Sequence, residues 1–307
     1  MSAVNAVQNA SLGEEIVRGI NDLAAISEAG DNLTRIYLTK ELRKAADLLL
    51  SWMREAGMSA RLDAIGNVCG RYEGERPGAP CLMLGSHYDT VRDAGKWDGP
   101  LGVITAIACV ADLNRRGKRL PFAIEIVGFA DEEGVRFAST LLGSRAVAGT
   151  FDESVLNVRD RDGVSMRDAL VQFGLNPDHI GAAARARREL LAYLELHIEQ
   201  GPVLEAQDLP VGVVTAIAGA TRLAARLTGM AGHAGTVPMA FRRDALAGAA
   251  ECIGAIEQFL PHRREWAGRH RRLHPGEARR DQCHSGRGVL HHRHARADRY
   301  APQARGG

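Results

Sequence analysis

Three apolar runs in this chain end directly in a short group of histidines and acids, and no other sequence feature constrains the fold as much. Residues 81–85 (Cys-Leu-Met-Leu-Gly) run into Ser86-His87-Tyr88-Asp89-Thr90. Residues 122–129 run into Ala130-Asp131-Glu132-Glu133-Gly134. Residues 192–198 carry Leu196-His197-Ile198 and continue into Glu199-Gln200-Gly201-Pro202. A fourth group, Gly95-Lys96-Trp97-Asp98-Gly99-Pro100, is a Gly-rich loop that opens a helical pattern. Charged groups at the carboxyl ends of buried strands belong where open α/β sheets bind ligands.

The intervening segments read as helices. Leu42, Ala45, Ala46, Leu49, Leu50 and Met53 recur at helical spacing and predict an amphipathic helix over 39–55. Further helices are expected over 13–27 and over 101–113, the latter packed through Val103, Ile107 and Val110. Strands alternating with helices imply an α/β domain with a largely parallel sheet. After Pro210 the character changes. Residues 211–217 and 221–228 read as two paired strands, and 242–260 as a helix with Leu246, Ala249, Ile253, Ile256 and Leu260 on one face. This is the start of a smaller α+β unit.

The pattern stops at His262. The segment 262–307 holds twelve arginines, no lysine, seven histidines and four acids, a charge of +8 against −6 for the remainder. So little aliphatic periodicity cannot offset the conformational entropy of ordering, and the segment is expected to be disordered. Such asymmetry ordinarily suggests a nucleic-acid arm, but the segment has neither aromatic platforms nor a binding motif. No nucleic-acid partner is expected. No run of about 18 apolar residues exists, so no membrane span is expected either. The first residues show no secretory pattern, and the five cysteines form neither a disulfide framework nor a CxxC zinc site. A cytoplasmic location is the expectation.

A two-metal hydrolase needs the inventory these groups offer. Each divalent ion takes imidazole or carboxylate ligands, and one carboxylate bridges the pair. Asp89, two residues from His87, is placed to orient that ring through its second nitrogen. Adjacent Glu132 and Glu133 offer one ligand and one proton acceptor, since neighbours on extended chain point apart. Alone, each group has an ordinary reading as turn chemistry or solvated surface. Their joint order after apolar runs is far more specific, and the side chains of His87, Asp98, Glu133 and His197 are expected to converge.

The segments GSHYDTV, GKWDGPLGV, ADEEGVRF, LHIEQGPVLE and GHAGTVPMAFRRDA resemble the motif series of the M20 metallopeptidase superfamily. The similarity is to its branch of allantoate amidohydrolases and N-carbamoyl-L-amino-acid hydrolases, over about residues 11–260. The resemblance implies a metal-binding catalytic domain with a largely parallel central sheet (phosphorylase/hydrolase-like) over 1–210. It implies the beginning of a lid or dimerisation domain over 211–261. It implies two divalent ions per subunit, zinc or manganese or cobalt, with His87, Asp98, Glu133 and His197 as ligands and Asp98 bridging. Glu132 is implied as general base, Asp89 as the group orienting His87, and Gln200 as substrate-binding. His233 is implied as both substrate-binding and catalytic, stabilising the oxyanion across a homodimer.

The family's C-terminal ligand histidine and its substrate-gripping arginine segment are absent as written. Residues 281–288, Asp-Gln-Cys-His-Ser-Gly-Arg-Gly, have codons that permit Ile-Asn-Val-Ile-Pro-Gly-Glu when read one base later. Residues 291–297 likewise permit Ile-Ile-Asp-Met-Arg-Ala-Pro. Those are the missing segments in family order, so 262–307 reads as a frame-shifted continuation. The functional expectation is hydrolysis of a linear ureido or carbamoyl C–N bond. Allantoate comes first because of Tyr88 and Lys96-Trp97, with N-carbamoyl-L-amino acids or β-ureidopropionate as the alternative. An inactive remnant of either, and a non-enzymatic basic module, are the competing readings.

Overall fold

The computed structural model of the chain describes residues 11–28, 30, 32–217 and 225–259, in two units that divide between Gln200 and Gly201. In the first unit, α1 (Leu12–Ala24) starts at a capping box in which Ser11 and Glu14 satisfy each other's backbone N–H. Helix α2 (Lys40–Glu55) starts where the Thr39 side chain accepts from the Leu42 N–H. The six apolar residues read from its sequence are all buried. Burying one such Leu or Met contributes about 1.5–3 kcal/mol.

The hairpin of β1 (Ser59–Leu62) and β2 (Val68–Tyr72) follows, then β3 (Cys81–His87), α3 (Pro100–Arg115) and β4 (Ala123–Phe129). The short helices α4 (Leu142–Val147) and α5 (Met166–Gln172) lead to β5 (Leu190–Leu194). The sheet order is β1-β2-β4-β3-β5. β4, β3 and β5 run parallel, as the alternation of strands and helices predicts, while β2 joins β4 antiparallel. The β1–β2 hairpin has no counterpart in the sequence reading, because its residues carry no clean alternation of apolar and polar positions.

The main core gathers α1, α2, α3 and one sheet face, including Val68, Tyr72, Ile124 and Ile126. Cys69, Met83, Val127 and Phe129 form a second cluster with Val147 of α4. Alternation along β2 and β4 puts it on the opposite face. That face also buries Glu125, which accepts from Arg185 Nε at 3.0 Å and Nη2 at 2.5 Å. The pair pins the chain leading into β5 to the sheet. β5 is an edge strand, with Leu191, Tyr193 and Leu194 exposed.

In the second unit, α6 (Val203–Ala206) precedes α7 (Ala245–Phe259), whose start is capped by Asp244 Oδ1 on the N–H groups of Leu246 and Ala247. Residues 211–217, expected as a strand, carry no sheet pairing among the described residues, and Val213 and Ile217 are each 92% exposed. A strand's backbone groups need a partner, and part of the expected one, 221–224, lies outside the described residues. The segment 262–307, expected to be disordered, also lies outside them. Among the described residues no helix is long and apolar enough to cross a membrane.

Candidate metal centre

The register pairs His87, the last residue of β3, with Phe129, the last of β4. Two adjacent parallel strands therefore deliver residues 87–89 and 131–133 to one edge of the sheet. β5, parallel to β3 on its other side, ends at Leu194, three residues short of His197. The loop before α3 supplies Asp98.

His87, Asp98 and His197 each offer a ligand atom, all within 4.8 Å of one another, and so do His87, Glu132 and Glu133. The two groups share His87. Asp98 Oδ1 lies 3.6 Å from His87 Nε2 and 3.2 Å from His197 Nε2, and the two Nε2 atoms are 3.4 Å apart. His87 is buried, and Gly99 is what lets it sit there. A Cβ on Gly99 would lie 2.5 Å from the imidazole Cε1, and its φ of +83° disfavours any side chain.

Asp89 is also buried. Its main-chain oxygen lies 3.0 Å from His87 Nδ1, while its carboxylate is 3.7 Å away. That carboxylate accepts the N–H of Glu132 at 3.1 Å and of Glu133 at 3.2 Å. The expected carboxylate–imidazole hydrogen bond is thus a carbonyl–imidazole contact, because the Asp89 side chain is spent on the loop opposite. Gln200, held at φ +54°, donates to Asp98 Oδ2 at 2.7 Å. His233 lies in the second unit. Its Nδ1 accepts the N–H groups of Gly235 and Thr236 at 3.0 and 3.2 Å, so a neutral ring carries its proton on Nε2.

The electrostatics are those of crowded carboxylates. Burial pushes the His87 pKa down, but Asp98, Asp89 and Glu132 outweigh it and raise it to about 9. Burial raises Glu133 to about 7, helped by Glu132, Asp89 and Asp98 against the opposing pull of His87. His87 holds Asp98 below its ordinary value. Asp98 Oδ1 is buried without a hydrogen-bond partner, between two imidazoles. His87 and His197 beside Asp98, with Glu132 and Glu133 grouped around His87, offer a donor set that fits zinc, manganese or cobalt.

Several residues that shape this region carried no sequence signal. Fully buried Arg35 donates to the Tyr88 and Leu23 carbonyls at 2.8 and 3.0 Å, bracing the 87–90 turn from behind. Asn67, held by Asp63, accepts the Ala130 N–H at the start of the Glu132–Glu133 loop across 63 positions of sequence. Tyr88 is wholly buried and donates to the Gly66 carbonyl at 2.6 Å, and Lys96 Nζ donates to Asn21 at 2.7 Å. The Tyr88 contact is buried, whereas that of Lys96 lies at the surface.

The profile of Peptidase family M20/M25/M40 matches residues 83–299. An N-carbamoyl-L-amino acid amidohydrolase of Geobacillus stearothermophilus is 44% identical over 80% of this chain and 60% of its own length. The allantoate deiminase of Arabidopsis thaliana is 41% identical over 85% of this chain and 50% of its own. A crystal structure of a hydantoinase/carbamoylase family amidase from Burkholderia ambifaria superposes with a TM-score of 0.67 at 34% identity, covering 81% of this chain and 60% of that one. The chain thus spans between half and two thirds of the length of these relatives. On the profile match and these identities, the chain belongs to Peptidase family M20/M25/M40.

Proposed function

We propose that this chain carries the metal site of an amidohydrolase that cleaves the C–N bond of a linear ureido or carbamoyl compound, with allantoate as the first candidate. The observation that carries the reading is the pair of three-residue groups sharing His87. The names of the relatives support the substrate class. The relative at 44% identity favours N-carbamoyl-L-amino acids as the second reading.

In this reading His87, Asp98, His197 and Glu133 would hold two divalent ions, Asp98 lying between the two imidazoles. When bound, such ions supply Lewis acidity to the scissile carbonyl and lower the pKa of a water. Glu132 would accept a proton from the attacking water and pass it to the leaving nitrogen. Asp89 keeps Glu132 and Glu133 in register by accepting both amides. Gln200, now on Asp98, turns to the substrate. His233 donates from Nε2 to the developing oxyanion, a role its fixed neutral tautomer suits. A homodimer is the assembly this reading entails.

The test assays ammonia release from allantoate and from N-carbamoyl-L-amino acids with added Mn2+. It compares the chain as written with a version whose reading frame is restored near residue 260. Turnover of allantoate by the restored version supports the first reading, and turnover of N-carbamoyl-L-amino acids alone supports the second. Turnover of neither class by the restored version overturns both. Comparable turnover by the two versions overturns the frame-shift reading of 262–307.

A further inference from the structure

Glu132 and Glu133 sit on a loop that closes on itself at a narrow neck. The N–H of Gly143 donates to the Ala130 carbonyl at 3.0 Å, that of Leu142 to Asp131 at 3.2 Å, and that of Leu141 to Glu132 at 3.3 Å. The loop is strained. Asp131, Ala138 and Leu141 have φ of +55°, +52° and +63°, each a left-handed conformation disfavoured for a non-glycine residue. Strain of this kind persists only where surrounding contacts over-determine it.

One side chain spans the neck from outside. Asn67, with no exposed surface, accepts the Ala130 N–H on Oδ1 at 2.9 Å and donates from Nδ2 to the Gly143 carbonyl at 3.1 Å. Its Nδ2 also donates to Asp63 Oδ2 at 2.9 Å. Only this orientation of the amide satisfies all three partners. Asp63 in turn accepts the N–H groups of Ile65 and Asn67, which fixes the turn between β1 and β2. The fit is close on the far side as well, since a Cβ on Gly143 would lie 2.1 Å from Asn67 Oδ1.

We propose that Asn67 is a positioning residue for the metal centre: by bridging Ala130 and Gly143 it locks the neck of the loop and so sets where Glu132 and Glu133 stand. It is not among the candidate ligands, and acts through the backbone two and three residues ahead of the two glutamates. The cation-binding part of this inference rests on the metal-site reading above. The effect on the loop does not.

The test uses the full chain and three variants. Asn67→Asp keeps the shape and the acceptor for Ala130, but loses both donations and sets two carboxylates together. The double swap Asp63→Asn with Asn67→Asp restores the link between positions 63 and 67, and leaves only the Gly143 carbonyl without its donor. Gly143→Ala strains the same neck from the loop side, its added carbon meeting Asn67 Oδ1 and the Ala130 backbone. Urea unfolding, amide exchange over 130–143 and Mn2+ titration are read in each. Outer contacts of this kind alter metal affinity about 10–100-fold. The double swap should recover most of the unfolding midpoint lost in the single variant. Its loop amides should still exchange at least about tenfold faster than wild type, and Mn2+ should bind about tenfold more weakly. Gly143→Ala should follow the same pattern. Recovery of loop protection and Mn2+ affinity together with the midpoint would reduce Asn67 to a turn-former and overturn the proposal. So would a faster loop with unchanged affinity. If the wild-type chain binds no Mn2+, the metal-site reading fails, and the exchange of the Glu132 and Glu133 amides alone decides the role of Asn67.

Discussion

Asp89 meets the His87 imidazole with its main-chain oxygen at 3.0 Å and places its carboxylate on the amides of Glu132 and Glu133. One residue thereby ties two strand ends together. The carbonyl on Nδ1 leaves His87 Nε2 facing Asp98, and the carboxylate fixes the backbone that presents both glutamates. A carboxylate accepting two N–H groups is suited to this, since it has no proton of its own to place.

Asp89→Asn separates the two tasks. The amide keeps one acceptor oxygen but must turn an NH2 group towards the other N–H, so one of Glu132 and Glu133 loses its anchor. The backbone contact to His87 survives. Mn2+ affinity should fall about tenfold or more. Unchanged affinity by isothermal titration would show that the grip on the two amides is idle.

The two glutamates should respond differently to the same chemical change. Glu133→Gln removes a ligand and should lower the metal content after dialysis. Glu132→Gln should leave metal content intact and abolish turnover in the frame-restored protein, because a base is removed. Equal metal loss in both variants would refute the division of roles.

Gly99→Ala tests whether the place of His87 depends on the glycine before α3. The added carbon would lie 2.5 Å from the ring at a backbone angle L-residues avoid. A stability loss of about 1–3 kcal/mol is expected from the strain, together with weaker metal uptake as the imidazole is displaced. Wild-type Mn2+ affinity in a folded variant would mean that the ring is not held by this contact.

Away from the centre, Arg185→Met should destabilise the chain by roughly 3 kcal/mol in urea unfolding. It leaves Glu125 charged and buried, and breaking such a pair costs about 3–5 kcal/mol. Arg71, 3.9 Å from Glu125, keeps the loss at the low end. The double variant Arg185→Met with Glu125→Gln should recover much of it. A single variant as stable as wild type would show the pair to be dispensable.

The sequence by itself determined the elements whose signals are local. Thr39 and the six buried residues of α2 announce a helix because a 3.6-residue period and a cap lie within one segment. The strands ending at His87 and Phe129 are equally legible as apolar runs broken by polar groups. The positions of His87, Asp98, Glu132, Glu133 and His197 beside such elements were legible too, whereas their grouping around His87 came from the tertiary structure. The tertiary structure alone decided that β2 runs antiparallel beside β4, that the Asp89 side chain serves Glu132 and Glu133, and that Tyr88 faces Gly66. Only there does Asn67 meet Gly143, across 76 positions of sequence. These are hydrogen bonds between segments that no periodicity connects. A polar side chain's partner, once the chain closes around it, is whichever group shares its buried space and would otherwise be left unpaired.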